Sequence, residues 1–353
     1  MPQDRQQPPV LVVNAGSTGT KLSLVAPDDG ARPLEAIGDA PKALAGVGHR
    51  IVHGGGRFTA PAVLDPGALV VLDDLADLAP LHNGPAVAAA RDAMERFPGV
   101  PHVAVFDTAF HATLPPAAST YPVPARWRDE WGVRRYGFHG ISVQWSTERA
   151  AAMIGRPAAD LRLAVCHIGG GASVTAVRGG RSVATTMGFE PLEGVVMATR
   201  SGTIDPAIPF HLMSRHGLGP HEVEEALTRG SGLMGLAGTA DMREVERRAA
   251  AGDPAAALTL EVHDARLAEA VAGMVPALGG LDAVVFTGGV GEGSARMRAA
   301  VGALLAPLGV EIGEDAGGTD DREVGAPGAA VRALVVHARE DAIIARAVRE
   351  AGT

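Results

Sequence analysis

The groups in this chain with chemical potential are cations and carboxylates set beside glycine turns. Arg50, Arg200 and Arg243 lie in polar stretches, Asp107 closes the apolar run VAVF, and Glu340 introduces a C-terminal helical pattern. Small-residue turns occur at 15–19, 169–171 and 288–293, each directly after an apolar run. There the backbone can approach a phosphate closely and aim N–H groups at it. Carboxylates at strand ends in open α/β sheets commonly face the ligand crevice. Phosphoryl transfer needs donors around the phosphates, a metal held by carboxylates, and cations where charge accumulates. The inventory meets those needs and points to a nucleotide-dependent phosphotransferase.

Other chemistries find less support. GSTGTK at 16–21 resembles a P-loop but lacks the four-residue gap, and a strand rather than a helix follows it. GGVGEG is not GxGxxG, and HExxH, CxxC and the GxSxG elbow are absent from the sequence. His49 and His53 have the spacing of helical zinc ligands, but the intervening Arg-Ile-Val reads as strand, which puts both on one face two pleats apart.

The elements that must carry these residues repeat. VVNAGSTGTKLSLV near the N-terminus and AVCHIGGGASVTAV from Ala164 align in register as strand, small-residue turn and strand. Such a unit opening each half of the chain predicts an α/β fold of two duplicated actin-like (ribonuclease H-like) domains with a nucleotide cleft between them. Residues 8–109 plus 340–353 form the expected N-terminal domain and 110–339 the C-terminal, nucleotide-binding one. A broken helical region is expected over about 69–97, and helices over 220–229, 241–251 and 255–277. Strands are expected at 103–106, 281–287 and 333–336, a glycine loop at 288–293, and a helix at about 295–308.

At 353 residues the chain is long enough for two cores, and 46% hydrophobic with 20% charged residues is an ordinary globular balance. A net charge of −9 offers no basic field for nucleic acid or anionic membrane, so neither is an expected partner. The single cysteine, Cys166, reads as a buried hydrophobe and favours a reducing compartment. The polar, proline-rich N-terminus does not read as a signal peptide, and no apolar run approaches the roughly 18 residues of a membrane span. The expected location is cytoplasmic.

The blocks VNAGSTGTKLSL, GHRIVHGG, LAPLHNGP, VAVFDTAFHATLP, RRYGFHG, CHIGGGASVTAV, TTMGFEPLEGVVMATRSGTIDP, SGLMGLAGTADMR and VVFTGGVGEGS occur in the order seen in acetate kinases. The chain resembles that family from about residue 10 to its C-terminus. The resemblance implies the acetate and sugar kinase, heat-shock protein 70 and actin superfamily fold. It also implies reversible, magnesium- or manganese-assisted transfer from ATP to a short-chain carboxylate such as acetate or propionate, by a homodimer.

On the matching positions, Asn14, Ser17 and Lys21 would line the first phosphate turn. Arg50, Phe138 and Arg200 would hold the substrate, with Arg200 and His139 stabilising the transition state and Asp107 at the reaction centre. His82 and His167 would lie near the site, and Gly169, Gly170 and Gly171 would approach the nucleotide phosphates. Asp241, Met242 and Arg243 would meet the adenosine, flanked by Gly289, Val290, Gly291, Glu292 and Gly293. Asn14 and Glu340 would position the metal. A carboxylate acceptor is already ionised at neutral pH, so Asp107 is better suited to align Arg50 or a metal-bound water than to act as a base.

Some positions depart from the family pattern. Gly170 and Gly293 stand where Asn is usual, Gly19 where Ser is usual, and Thr203 where Asp is common. Only 22 residues, 26–47, separate the first hairpin from GHRIVHGG, where the family has a longer segment. Each lost donor weakens nucleotide binding by roughly 1–3 kcal/mol if nothing replaces it. Two rival readings keep the fold. One is a kinase for another acid or a hydroxyl acceptor, which would need Asp107 as a base; the other is a nucleotide-binding regulatory protein with weakened catalysis.

Overall fold

The computed structural model describes residues 7–16, 19–75, 83–315 and 317–352. They form two compact units. The first takes the chain up to Ala112, Phe138–Trp145, and the C-terminal segment from Arg339; the second takes Thr113–Gly137 and Ser146–Ala338.

The first unit is built on a six-stranded sheet. Its strands are β1 Val10–Gly16, β2 Gly19–Val25, β3 Ala31–Leu34, β4 Gly46–Ile51, β5 Ala62–Val63 and β6 His102–Phe106, in the order β3-β2-β1-β4-β6-β5. β1, β4 and β6 run parallel; β2 and β3 fold back antiparallel on one side, β5 on the other. The segment that separates the first hairpin from β4 thus still supplies a strand, β3.

Residues along β4 alternate between faces. Ile51 packs with Ala86, Val87 and Ala90 of the helix Asn83–Arg96. Gly46, Gly48 and Arg50 take the other face, under the helix Glu340–Ala351. A Cβ on Gly48 would stand 2.3 Å from Ile344 Cγ2, and one on Gly46 would stand 2.5 Å from Val348 Cγ1. The two glycines let that helix settle on the strand, which brings Glu340 beside Arg50.

The second unit repeats this plan. Its strands are β7 Arg162–Ile168, β8 Ala172–Arg178, β9 Arg181–Thr185, β10 Ala283–Thr287, β11 Arg322–Glu323 and β12 Arg332–Val335, in the order β9-β8-β7-β10-β12-β11. The parallel set is β7, β10 and β12, with antiparallel strands at both sides. Strand for strand this is the order and polarity of the first sheet, so the duplication seen in the short N-terminal motif extends through the whole sheet. All five residues of β10 are buried, as its unbroken apolar run requires. The long helix Pro254–Leu278 packs along β7, β8 and β9 and buries Leu267, Val271 and Leu278.

One expected element differs. Residues 288–293 are not an open glycine loop but a short helix, Gly288–Gly293, followed by the helix Ala295–Leu305. Glycine is a poor helix former, and side chains close this turn at both ends. The Glu292 carboxylate accepts the Gly288 N–H at 2.9 Å. The buried Arg298 donates Nη1 to the carbonyls of Gly291 and Glu292 at 2.6 and 2.9 Å. His49 faces His102 across 3.0 Å, whose Nε2 lies 3.1 Å from the Phe97 carbonyl, and His53 lies beyond β4 with its Nδ1 accepting the Gly55 N–H.

Candidate active site

In the first unit the site residues gather at the C-terminal ends of the parallel strands. Asn14 of β1 stands in register with Arg50 of β4, and Asp107 follows β6 directly, its N–H donating to the Ile51 carbonyl at 3.0 Å. Arg50 grips Asp107 with two parallel bonds, Nε to Oδ1 at 2.9 Å and Nη2 to Oδ2 at 2.6 Å. Its Nη1 donates to Asn14 Oδ1 at 3.0 Å and lies 3.6 Å from Glu340 Oε2. Asn14 Nδ2 donates to the same Glu340 oxygen at 2.9 Å. The bidentate fork fixes the guanidinium plane, which a lysine ammonium cannot do.

The electrostatics follow from burial. Burial alone would lower the Arg50 pKa, but Asp107 and Glu340 raise it above its ordinary value, so the cation persists at any working pH. Burial pushes the Asp107 carboxyl up, while Arg50 and the His139 backbone pull it down. Both Asp107 oxygens are engaged by Arg50, a geometry that orients the guanidinium rather than freeing the carboxylate to take a proton.

The RYGFHG block completes this side. His139 has φ of 60°, a left-handed conformation rare outside glycine, and its carbonyl accepts the Val143 N–H at the start of the helix Gly140–Ile154. Gly140 donates its N–H to the Asp107 carbonyl at 2.9 Å, and a Cβ there would lie 2.2 Å from that oxygen. Phe138 is fully buried, edge-on to His53, and its carbonyl pairs with His111 Nε2 at 2.9 Å. Lys21, opposite Asn14 in the first hairpin, is exposed. Ser17 and His82 lie outside the described residues.

In the second unit, residues 169–171 turn β7 into β8, with the Gly169 N–H on the Gly171 carbonyl at 2.8 Å. His167 ends its run beside this turn: a Cβ on Gly169 would lie 3.7 Å from His167 Nε2. Gly170 accepts the Ala198 N–H at 3.2 Å, which ties the turn to the segment leading into Arg200. Arg200 Nη1 donates to the Pro191 carbonyl at 2.5 Å. Among the described residues no carboxylate comes within ion-pair range of it, and desolvation lowers its pKa. A desolvated guanidinium with most of its donors unspent is suited to an anion.

Other expected nucleotide contacts are placed less directly. Asp241 caps the helix Met242–Ala250 and pairs with the exposed Arg243 at 2.8 Å. The Met242 side chain is buried with Leu233, Val245 and Leu260, and Val290 packs on that cluster, so Met242 can offer a ligand only its backbone. The Glu292 carboxylate is spent on Gly288, Ala338 and His337, and Gly291 is buried. Gly289 and Gly293 face open space. A groove of about 1020 Å³ in this unit, lined by Thr186, Glu193, Thr203, Asp205 and Arg266, contains none of the expected site residues. The groove is broad and open, and its size alone assigns it no chemistry.

A model of the acetokinase family matches residues 33–346. The chain belongs to the acetokinase family. It is 50% identical over 308 residues to an acetate kinase of Leifsonia xyli, covering 86% of this chain and 78% of that one. It is 47% identical over 320 residues to an acetate kinase of Deinococcus radiodurans, covering 89% and 80%. Among solved structures it matches a propionate kinase from Francisella tularensis with a TM-score of 0.89 at 32% identity, covering 96% and 98% of the two chains. An acetate kinase from Porphyromonas gingivalis matches with a TM-score of 0.86 at 30% identity, covering 97% and 99%. The duplicated actin-like architecture is thus that of solved acetokinases.

The positions expected to depart from the family pattern sort into two kinds. Gly170 and Gly293 have unoccupied space where a side chain would go and no left-handed φ, so their loss of a donor reshapes nothing nearby. Gly19 has φ of 135°, where a serine would be strained, and Thr203 uses its hydroxyl to accept the Gly194 N–H at 3.1 Å. Sequence reasoning missed the supports: Pro191, Glu193, Tyr121 and Arg298. A carbonyl partner such as Pro191 leaves no residue-type signal, and the others read as ordinary polar positions.

Proposed function

We propose that this acetokinase transfers the γ-phosphoryl group of ATP reversibly to a short-chain carboxylate, acetate or propionate, giving ADP and an acyl phosphate. A carboxylate oxygen of the acid attacks the γ-phosphorus. The bond to the β,γ-bridging oxygen breaks and its electron pair leaves with ADP. No proton need be removed, because the acid is already ionised. What must be overcome is the meeting of two anions, and Arg50 and Arg200 answer it, Arg50 for the acid's carboxylate and Arg200 for the phosphoryl in flight. Asp107 holds the Arg50 fork in plane, His139 donates to the transferring group, and Phe138, itself fully buried, supports the site through its edge contact with His53.

For the nucleotide we assign Asn14, Ser17, Lys21, His167 and residues 169–171 to the phosphates, and Asp241, Arg243, Gly289 and Gly293 to the adenosine side. Glu340 and Asn14 form the metal-side donors. Glu340 would offer a carboxylate oxygen and Asn14 its amide Oδ1, which here accepts Arg50 Nη1, and oxygen donors of this kind would suit magnesium, which takes few protein ligands and fills its shell with water and phosphate. Among the described residues no group of three or more acidic, His or Cys side chains forms a cage, which favours a metal carried on the nucleotide. When bound, the metal neutralises phosphate charge. A homodimer formed through the second unit accounts for the exposed Ile208, Phe210, Met234 and Leu236, and light scattering in solution tests it.

The observation that carries the reading is the Asn14–Arg50–Asp107–Glu340 cluster at the ends of parallel strands in a chain of this family. The test is ADP release by purified protein with Mg-ATP and a panel of acids and alcohols. ADP formed only with short-chain acids is expected. Release driven by an alcohol and not by an acid would overturn it.

A further inference from the structure

The segment that carries Pro191 is held by side chains with no place in the chemistry. Glu193 receives the Tyr121 hydroxyl on Oε2 and Arg135 Nη2 on Oε1 at 2.5 Å. Arg135 also donates Nη1 to the carbonyls of Thr186 and Met187 at 2.7 and 3.0 Å, and its guanidinium lies 5.3 Å from the centre of the Tyr121 ring. The Phe189 N–H returns to the Tyr121 oxygen at 3.2 Å, and the N–H of Tyr136 takes the Gly188 carbonyl at 3.0 Å. Gly188 itself has no room for a side chain: a Cβ there would lie 2.0 Å from Glu193 Oε2 and 2.2 Å from the Tyr121 oxygen. Residues 186–193 are therefore pinned at both ends and in the middle.

That loop presents the Pro191 carbonyl to Arg200 Nη1. The backbone of Arg200 is fixed separately. Its carbonyl accepts the Met197 N–H at 3.2 Å, and a Cβ on Gly232 would lie 2.7 Å from the same oxygen. With no carboxylate of the described residues in range, the direction of the guanidinium depends on where the loop holds that carbonyl. A planar fork must meet the transferring oxygens edge-on, and a misplacement of about 1 Å at such a group costs about a hundredfold in rate.

We propose that Tyr121 is a positioning residue for phosphoryl transfer: through Glu193 and Arg135 it locks residues 186–193 so that Pro191 aims Arg200. This rests on the role given to Arg200 above. The group acts through Arg200 and touches neither substrate nor nucleotide.

The test combines steady-state kinetics, ATP calorimetry and thermal melting on the full-length Tyr121→Phe, Glu193→Gln, Arg200→Ala and Arg200→Lys enzymes. Tyr121→Phe is expected to lower kcat about tenfold, with the KM for ATP and the ATP affinity within about twofold of the parent. Glu193→Gln, which keeps an acceptor for Tyr121 but loses the charge on Arg135, should lower kcat in the same way. In an Arg200→Lys background the Tyr121→Phe loss should shrink below about twofold, because an ammonium has no plane to aim. A kcat unchanged in both loop variants, or an undiminished loss in the Arg200→Lys background, overturns the inference while leaving the role of Arg200 intact. Full turnover by Arg200→Ala overturns that role itself, and the inference with it. If Tyr121→Phe melts early, Glu193→Gln alone decides by the same criteria.

Discussion

Arg50 and Arg200 have matching roles in the proposed reaction but opposite surroundings, and truncating each should expose the difference. Arg50→Ala removes the partner of both Asp107 oxygens, bonded at 2.9 and 2.6 Å, and strands a carboxyl that is 1% exposed. Breaking a buried pair in this way costs about 3–5 kcal/mol. Arg200→Ala removes one bond to a carbonyl and strands no charge, a cost of about 1 kcal/mol. Both variants should lose turnover severely while ATP still binds, but only Arg50→Ala should also lose substantial stability.

The deficit should depend on pH with a definite sign. Without Arg50, burial acts on Asp107 with less opposition, and its folded pKa rises further above the unfolded value of about 3.9. A raised pKa leaves the group's stability intact at low pH and loses it as pH climbs, so the deficit should be larger at about pH 8 than at about pH 5. Urea unfolding of the parent, both variants and Arg50→Ala/Asp107→Asn, at both pH values, is the assay. The added Asp107→Asn should recover most of the loss. Equal stability of the two single variants, or a deficit that Asp107→Asn does not relieve, would refute this reasoning.

Three further outcomes follow from particular residues. Gly170→Asn should fold normally, since nothing lies within 4 Å of its Cβ position, and should tighten ATP binding about five- to tenfold by calorimetry. Unchanged or weaker binding would mean that the phosphates do not approach Gly170. Gly140→Ala drives a Cβ to 2.2 Å from the Asp107 carbonyl and should cost more than about 2 kcal/mol, together with most of the activity. A variant with parental melting and turnover would contradict the tight approach. Acid should destabilise the protein through its buried histidines. Burial holds His111 down at about 4 against an ordinary 6.5, so between those values only the unfolded chain takes up its proton. His111 then contributes a loss of about 3 kcal/mol as pH falls through that window. His49, held down at about 3 by burial and by His102, adds to the same trend. Melting curves across this range check it, and His111→Gln should flatten the slope.

Much of this protein was legible in its sequence because its elements follow local rules. The helix expected at 220–229 occurs as Pro220–Arg229, the long helix expected at 255–277 as Pro254–Leu278, and the buried strands fall within a residue or two of their apolar runs. The duplication was visible from one hairpin motif because strand–turn–strand leaves a compact signature. What escaped was long-range. Glycines at 288–293 form a helix despite their poor propensity, its ends closed by the side chain of Glu292 within it and of Arg298 in the next helix. Arg50, Asp107 and Glu340 were each singled out, but not that the first two would form a bidentate pair: register across β1, β4 and β6 decides that. The Pro191 carbonyl on Arg200 was invisible for a plainer reason, since every residue has a carbonyl.

The central claim is that the phosphoryl acceptor is a short-chain carboxylate. Trapping the product with hydroxylamine tests it most directly, because acyl phosphates form hydroxamates and phosphate esters of alcohols do not. With Mg-ATP and acetate or propionate, hydroxamate should accumulate in step with ADP and fall sharply in Arg50→Ala and Arg200→Ala. Well-folded protein that forms no hydroxamate with acetate, propionate or butyrate would contradict the account.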